Sequence, residues 1–146
     1  MKAKNYIKTE FPSNSVNEAL ARSMAAVFAA QADPTLEELG DIKTAVSEAV
    51  TNAIVHAYPD TIGRILLRCR ILEDDRLEIM VRDWGRGIED VEKARQPLFT
   101  TGGQDRSGMG FTIMESFMDK VKVRSKTGAG TTVVMTRRMS GRHGEA

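Results

Sequence analysis

Two periodicities divide the chain. Ile65, Leu67, Cys69 and Ile71 alternate with Leu66, Arg68 and Arg70, and Leu77, Ile79 and Val81 alternate with Glu78, Met80 and Arg82. These runs read as two strands joined by a hairpin turn at Glu73-Asp74-Asp75. Val121 and Val123 alternate with Lys120, Lys122 and Arg124, and Thr131 to Arg137 pairs back across Thr127-Gly128-Ala129-Gly130. Asn5 to Phe11 reads as a first strand, broken at Pro12. Elsewhere the period is helical. Ser15 and Glu18 have capping-box spacing for a helix to about Gln31, with Leu20, Met24, Val27 and Phe28 along one stripe. Asp33-Pro34-Thr35 starts a second helix that reaches His56 and ends near Tyr58-Pro59, with Pro34 tolerated in its first turn. Val46, Ala49, Val50, Ala53 and Ile54 form its buried stripe. A short helical piece lies around Glu89 to Arg95. A last helix starts at Gly108 and runs to about Asp119, with Phe111, Ile113, Met114 and Phe117 inside.

Alternation with charge on one face implies a sheet that packs on one side only, so the helices must cover that side. The expected fold is a two-layer α/β (α+β) sandwich with a mostly antiparallel sheet. No linker divides the chain, so residues 1–138 are expected to form one domain, followed by a tail at 139–146. The long stretch Trp84 to Ser107 reads as a functional lid or as disorder.

Composition narrows the classes. With 41% hydrophobic and 28% charged residues the 146-residue chain has an ordinary globular mix and can bury a core without staples. A formal net charge of +1 argues against direct nucleic-acid binding through general electrostatics and leaves room only for a local basic patch. One cysteine, Cys69, forms no intramolecular disulfide, and with His56 and His143 it makes no standard zinc set. The longest apolar run, Ala25 to Ala30, falls far short of the roughly 20 residues of a membrane span. A cytoplasmic protein with no membrane partner is expected.

Thr44, Glu48, Asn52 and His56 recur every four residues on a face other than the buried stripe. A solvated face favours Lys, Glu, Gln and Arg, whereas Asn costs up to roughly 0.7 kcal/mol relative to Ala within a helix. Such a row is easier to understand if it touches something. Asn offers a hard, neutral oxygen to Mg²⁺. Glu offers a carboxylate that accepts a proton from a hydroxyl or a water. His56 either orients Glu48 or caps the helix C-terminus.

Asp83-Trp84-Gly85-Arg86-Gly87 directly follows a strand. It is either a turn closed by glycines or a purine contact. In the second case Asp83 accepts a hydrogen bond from the exocyclic amino group of adenine, where guanine has a carbonyl. Gly85 and Gly87 then permit close backbone approach. Trp84 either stacks near the nucleotide or covers the site. Arg106-Ser107-Gly108-Met109-Gly110 opens a helix whose free N–H groups form an anion site that the glycines leave open to phosphate. Arg106 can add a charge-assisted contact. Thr100, Thr101, Gly102 and Gly103 make a lid able to fold over a triphosphate. The patterns GxxxxGK[ST] and GxGxxG are absent, so this is neither a P-loop nor a Rossmann chain.

In this order the segments resemble the GHKL ATPase/kinase superfamily. Glu48-xxx-Asn52-xxx-His56 resembles its N box, Asp83-x-Gly85-x-Gly87 its G1 box and Gly108-x-Gly110 its G2 box. Gly130-Thr131 resembles its final nucleotide-contact strand, where a Thr helps to hold adenine. The resemblance covers nearly the whole chain and implies a histidine-kinase-like ATPase fold. Gln96-Pro97-Leu98-Phe99-Thr100-Thr101 and the run Arg106 to Glu115 look very like the lid and G2 region of the anti-sigma kinases of sporulation. The segment around Glu18 and Arg22 is similar to their first helix.

That likeness implies a homodimer that binds and inhibits a sigma factor of the sigma F type. It also implies phosphorylation of an anti-anti-sigma factor on serine with Mg-ATP. By resemblance Glu48 is the base, Asn52 the Mg²⁺ ligand and Asp83 the adenine selector. Gly85, Gly87, Thr100, Thr101, Arg106, Ser107, Gly108, Gly110 and Thr131 line the nucleotide, and Glu18 and Arg22 meet the protein partners. The family's lid usually carries a Lys after the Thr pair. Gly102 stands here in a lid one residue shorter, which leaves Arg106 as the main cation. Three other readings share these features: an anti-sigma kinase of a stress-response pathway, a histidine kinase catalytic domain, and an ATP-dependent binding module without phosphoryl transfer. The second needs a phosphoacceptor His upstream, where the first strand already begins.

Overall fold

The computed structural model describes residues 2–95 and 110–140. Strands β1 (Ala3–Pro12), β2 (Arg64–Leu72), β3 (Arg76–Asp83), β4 (Lys120–Lys126) and β5 (Gly130–Arg138) form one sheet in the order β1-β2-β3-β5-β4. Every neighbouring pair is antiparallel. The period of two sorts the side chains: Ile65, Leu67, Cys69, Leu77 and Ile79 are fully buried, while Leu66, Arg68, Arg70, Glu78 and Met80 occupy the other face. Burial pushes the Cys69 thiol up to about 12, so it serves as a small apolar core group. Pro12 ends β1 opposite Arg64 on an edge strand, where a residue without an N–H is tolerated.

Helices α1 (Asn17–Ala29), α2 (Leu36–Asn52) and α4 (Gly110–Phe117) supply the second layer, with α2 packed against both of the others. The four-residue α3 (Val91–Ala94) starts at Asp90, whose carboxylate accepts from the Lys93 N–H. This is the expected two-layer sandwich, its antiparallel sheet covered on one face. Among the described residues no helix is long and apolar enough to cross a membrane.

The start of α1 differs from expectation. Ser15 lends only its carbonyl, to the Glu18 N–H, and no side chain caps the helix. The Glu18 carboxylate turns instead to Arg22 one turn on, at 3.1 Å. The buried stripe also moves. Ala21, Ala25, Phe28 and Ala29 face the core, and Leu20 and Val27 are 53% and 76% exposed. The alanines let the helix backbone lie close to its neighbours, which turns the larger aliphatic side chains outward.

A capping box does form at α2. Thr35 Oγ1 accepts from the Glu38 N–H at 3.0 Å, and Glu38 accepts from the Thr35 N–H at 2.8 Å. Glu38 also accepts from the N–H and hydroxyl of Ser140, which ties the chain after β5 to the start of α2. Burial works against its charge. The bonds from Thr35 and Ser140, with Arg137 nearby, outweigh that and hold the carboxyl below the usual range.

Candidate functional site

Because Val46, Ala49 and Val50 of α2 are buried, Glu48 and Asn52 lie on a neighbouring, half-buried face. Thr44 is exposed and donates its hydroxyl to the Gly40 carbonyl. The first residue of α4 comes down on this face. A Cβ at Gly110 would stand 3.1 Å from Asn52 Nδ2, 3.2 Å from Asn52 Oδ1 and 3.5 Å from Glu48 Oε1. Any side chain there would push on the Asn52 amide. Beyond Asn52 the helix widens into a π-turn, Ala53–Ala57, so His56 departs from the strict four-residue row yet still faces the cleft.

The end of β3 forms the facing wall. Asp83 is 6% exposed, and its Oδ1 accepts from the Gly85 N–H at 3.0 Å and the Thr131 N–H at 3.1 Å. Among the described residues no donor reaches Oδ2. Burial raises the Asp83 pKa, and the two N–H groups offset only part of that rise. The Gly85 backbone lies against the Ala57 carbonyl, which also accepts from the Arg86 N–H at 3.2 Å. Gly87 holds φ at 78° while passing against Lys126, a conformation and a clearance that suit glycine. The Thr131 hydroxyl meets Ser125 Oγ at 2.7 Å, and Ser125 also accepts from the Ile88 N–H.

These elements enclose one cleft of about 610 Å³. Asn52, His56, Asp83, Gly87, Gly110 and Thr131 line it together, and Arg86 and Lys93 bring cations to it. Glu48 stands behind Gly110 at the same end. Segments separated by roughly 20 to 30 residues in sequence therefore share one wall-to-wall space. Thr100, Thr101, Arg106, Ser107 and Gly108 lie outside the described residues. Glu18 and Arg22 pair with each other on α1, away from the cleft lining. Trp84 does not line the cleft. Its ring lies under the guanidiniums of Arg64 and Arg82, 3.6 and 4.6 Å from the centroid.

Two supporting residues were missed in the sequence. The buried Tyr58 donates its hydroxyl to the Arg64 carbonyl at 2.6 Å and accepts from the Trp84 N–H at 2.7 Å, which pins the segment after Asp83. Nothing local distinguishes it from a tyrosine that ends a helix. Ser125 interrupts the Lys/Val alternation of β4, and that break was a usable signal.

The donor chemistry suits a magnesium nucleotide. Asn52 and Glu48 are hard oxygen donors flanking the start of α4. Among the described residues no three of His, Cys, Asp and Glu cluster to hold a metal. An ion that takes one or two protein ligands and completes its shell with phosphate and water fits such a site.

Residues 11–137 match the family model described as histidine kinase-like ATPase domain. The chain is 56% identical over 138 residues to an anti-sigma F factor of Caldanaerobacter subterraneus, covering 94% of this chain and 96% of the relative. It is 50% identical over 137 residues to the anti-sigma F factor of Clostridium acetobutylicum, with 93% and 95% covered. Among solved structures, the RsbU and RsbW domains of Rv1364c from Mycobacterium tuberculosis share the fold. The TM-score is 0.68 and the identity 20%, over 93% of this chain and 32% of that one. This chain thus spans about a third of that protein. The histidine kinase domain of a blue-light activated kinase from Erythrobacter litoralis gives a TM-score of 0.57 at 28% identity, over 71% of this chain and 46% of that one.

Proposed function

The chain belongs to the histidine kinase-like ATPase family and, within it, to the anti-sigma F factors, and from that premise we propose that its cleft binds Mg-ATP and transfers the γ-phosphoryl group to a serine of an anti-anti-sigma factor, while the same protein sequesters a sigma F-type factor. The observation that carries this reading is the approach of Gly110 to Asn52 and Glu48 at one end of a cleft whose other wall is the buried Asp83 carboxyl.

Asp83 selects adenine. Its Oδ1 is occupied by two backbone N–H groups, which fixes the carboxylate plane and leaves Oδ2 to accept from the amino group of the base. Thr131 supports the same edge, its N–H committed to Asp83 and its hydroxyl linked to Ser125. At the opposite end Asn52 would hold Mg²⁺ together with the nucleotide, and the bound ion would neutralise phosphate charge. The N-terminus of α4 opens there, and Gly110 keeps the space beside it clear. Arg106, with Thr100, Thr101, Ser107 and Gly108, completes the phosphate end in this reading. Glu48 accepts the proton of the incoming serine hydroxyl. Positioning and electrostatics supply most of the rate of phosphoryl transfer, and a general base typically adds 10²–10⁴-fold.

Arg22 and Glu18 form the partner contact in this reading, on a helix whose exposed Leu20 flanks them. A homodimer in the cytoplasm completes it. Incubation with γ-labelled ATP and purified sigma F-type and anti-anti-sigma proteins tests the assignment. Acid-stable label on a serine of the anti-anti-sigma protein supports it. Acid-labile label on histidine would make the chain a histidine kinase. Nucleotide binding without any transfer would make it a nucleotide-responsive binding module.

A further inference from the structure

Among the described residues no helix covers the second face of the sheet, and its composition is unlike that of a merely solvated surface. Outward positions of β4 carry Lys120, Lys122, Arg124 and Lys126, all exposed. Those of β2 carry Arg64, Arg68 and Arg70. Arg82 of β3, Arg138 of β5, and Lys4 and Lys8 of β1 extend the cationic field across the sheet. Against these, the outward strand positions present only the carboxylates of Glu10 and Glu78. Solvated faces normally intersperse both signs. Since the whole chain has a net charge of +1, this face is strongly positive only because the rest of the molecule is negative.

The register makes the imbalance costly. Lys8 stands directly opposite Arg68, and Arg76 directly opposite Arg138. Like charges in directly opposed positions destabilise a sheet. Glu78 relieves Arg70 at 2.7 Å and Arg68 at 3.1 Å, Glu10 stands 3.8 Å from Arg64, and the turn carboxylates Asp74 and Asp75 pair with Arg76 and Lys4. That leaves Lys8, Arg82, Arg138 and the four cations of β4 with no carboxylate partner among the described residues.

Three apolar residues lie at the centre of the face, with Arg68, Arg82 and Lys122 directly beside them. Met80 sits opposite Val134 on β5, and Leu66 lies one pair along on β2, all three half-buried. A phosphate backbone offers nothing to such a centre, whereas an amphipathic protein helix offers an apolar stripe with acidic flanks. We propose that the open sheet face is a docking surface for an acidic amphipathic helix of a protein partner. The helix lays its apolar stripe across Leu66, Met80 and Val134 and its carboxylates against the flanking cations. It would form a third layer on a two-layer fold. The surface lies on the other side of the sheet from the cleft, and its assignment does not depend on the phosphoryl-transfer reading.

The test uses the full chain and three fluorescent probes: an acidic helical peptide of about 20 residues with a leucine stripe, a scrambled peptide of identical composition that lacks the stripe, and a single-stranded oligothymidylate of similar charge. Fluorescence anisotropy at low and physiological salt should show the striped peptide binding at least tenfold tighter than the scrambled one. Binding should weaken at least tenfold in the double variant Lys122→Glu/Arg124→Glu and in Met80→Ser, with nucleotide binding unchanged in both. A melting curve for Lys8→Glu should show a rise, because it turns a repulsive pair with Arg68 into an attractive one, and this confirms a folded protein independently. Equal binding of striped and scrambled peptides, tighter binding of the oligothymidylate, or indifference to the variants would each overturn the proposal.

Discussion

At Asp83 stability and recognition pull in opposite directions. Burial raises its pKa, so the ionised form carries a cost in the folded state that a neutral amide would not. The carboxyl oxygen that accepts from Gly85 and Thr131 survives in Asn. Asp83→Asn should therefore melt no lower than the wild type at pH 7, and higher if the burial cost dominates, yet lose its preference for ATP over GTP, since the amide can present a donor. Competition binding and a melting curve on one sample check both halves. Glu48→Gln should keep Mg-ATP affinity within about threefold while transfer falls 10²–10⁴-fold. Full-rate transfer by that variant would remove Glu48 as the base. Asp83 and Asn52 were legible because their types are poor choices for the positions they occupy. Asp83 closes an apolar strand, and Asn52 sits inside a helix beside Glu48. Tyr58 was not, because its importance lies in the backbone of Arg64 and Trp84, which no local spacing encodes, and Ser125 left a signal only in the broken alternation of β4.

Among the elements, α2 determines most of the geometry, and its two ends were read with unequal success. The apolar stripe that orients it was plain in the sequence. The capping-box spacing of Ser15 and Glu18 points to the first helix, because spacing alone cannot tell that Glu18 binds Arg22. Thr35 and Glu38 carry the box instead, and Glu38 also anchors Ser140. Glu38→Ala should accordingly lower stability by about 1–2 kcal/mol, in line with the loss of a helix cap. Chemical denaturation with an unchanged m-value would confirm it. The π-turn at Ala53–Ala57 was invisible to a strict period, and it redirects His56 and docks Ala57 against Gly85 and Arg86. The start of α4 offers a cleaner test of site geometry. Alanine is a better helix former than glycine, so Gly110→Ala should not harm α4 itself. Its methyl would nonetheless crowd the Asn52 amide, and Mg-ATP affinity should drop about tenfold with little change in melting temperature.

For the molecule as a whole, the layer order followed from the alternation of charge and apolar residues, since a sheet with one apolar face needs one helical layer. The pairing order β1-β2-β3-β5-β4 did not, because periodicity says which face a residue takes and not which strand lies beside it. Acid sensitivity is also a property of the whole. Burial opposes the charge on Glu78 and Glu38, but Arg70 and Arg68 at the first and the hydrogen bonds at the second outweigh it and hold both carboxyls low. Such groups contribute stability above the ordinary Glu value of about 4.3 and lose it as pH falls through their folded values. Asp83, with its pKa raised, works in the opposite sense. Net melting temperature should fall on acidification below about pH 4, and Glu78→Gln should make that fall smaller. Titration calorimetry of the folded chain with ATP and Mg²⁺ addresses the convergence of α2, β3, β5 and α4 on one nucleotide cleft most directly. One site per chain is predicted, with GTP binding much more weakly and Asp83→Asn abolishing the difference. No heat from well-folded protein, or equal affinity for ATP and GTP in the wild type, would contradict it.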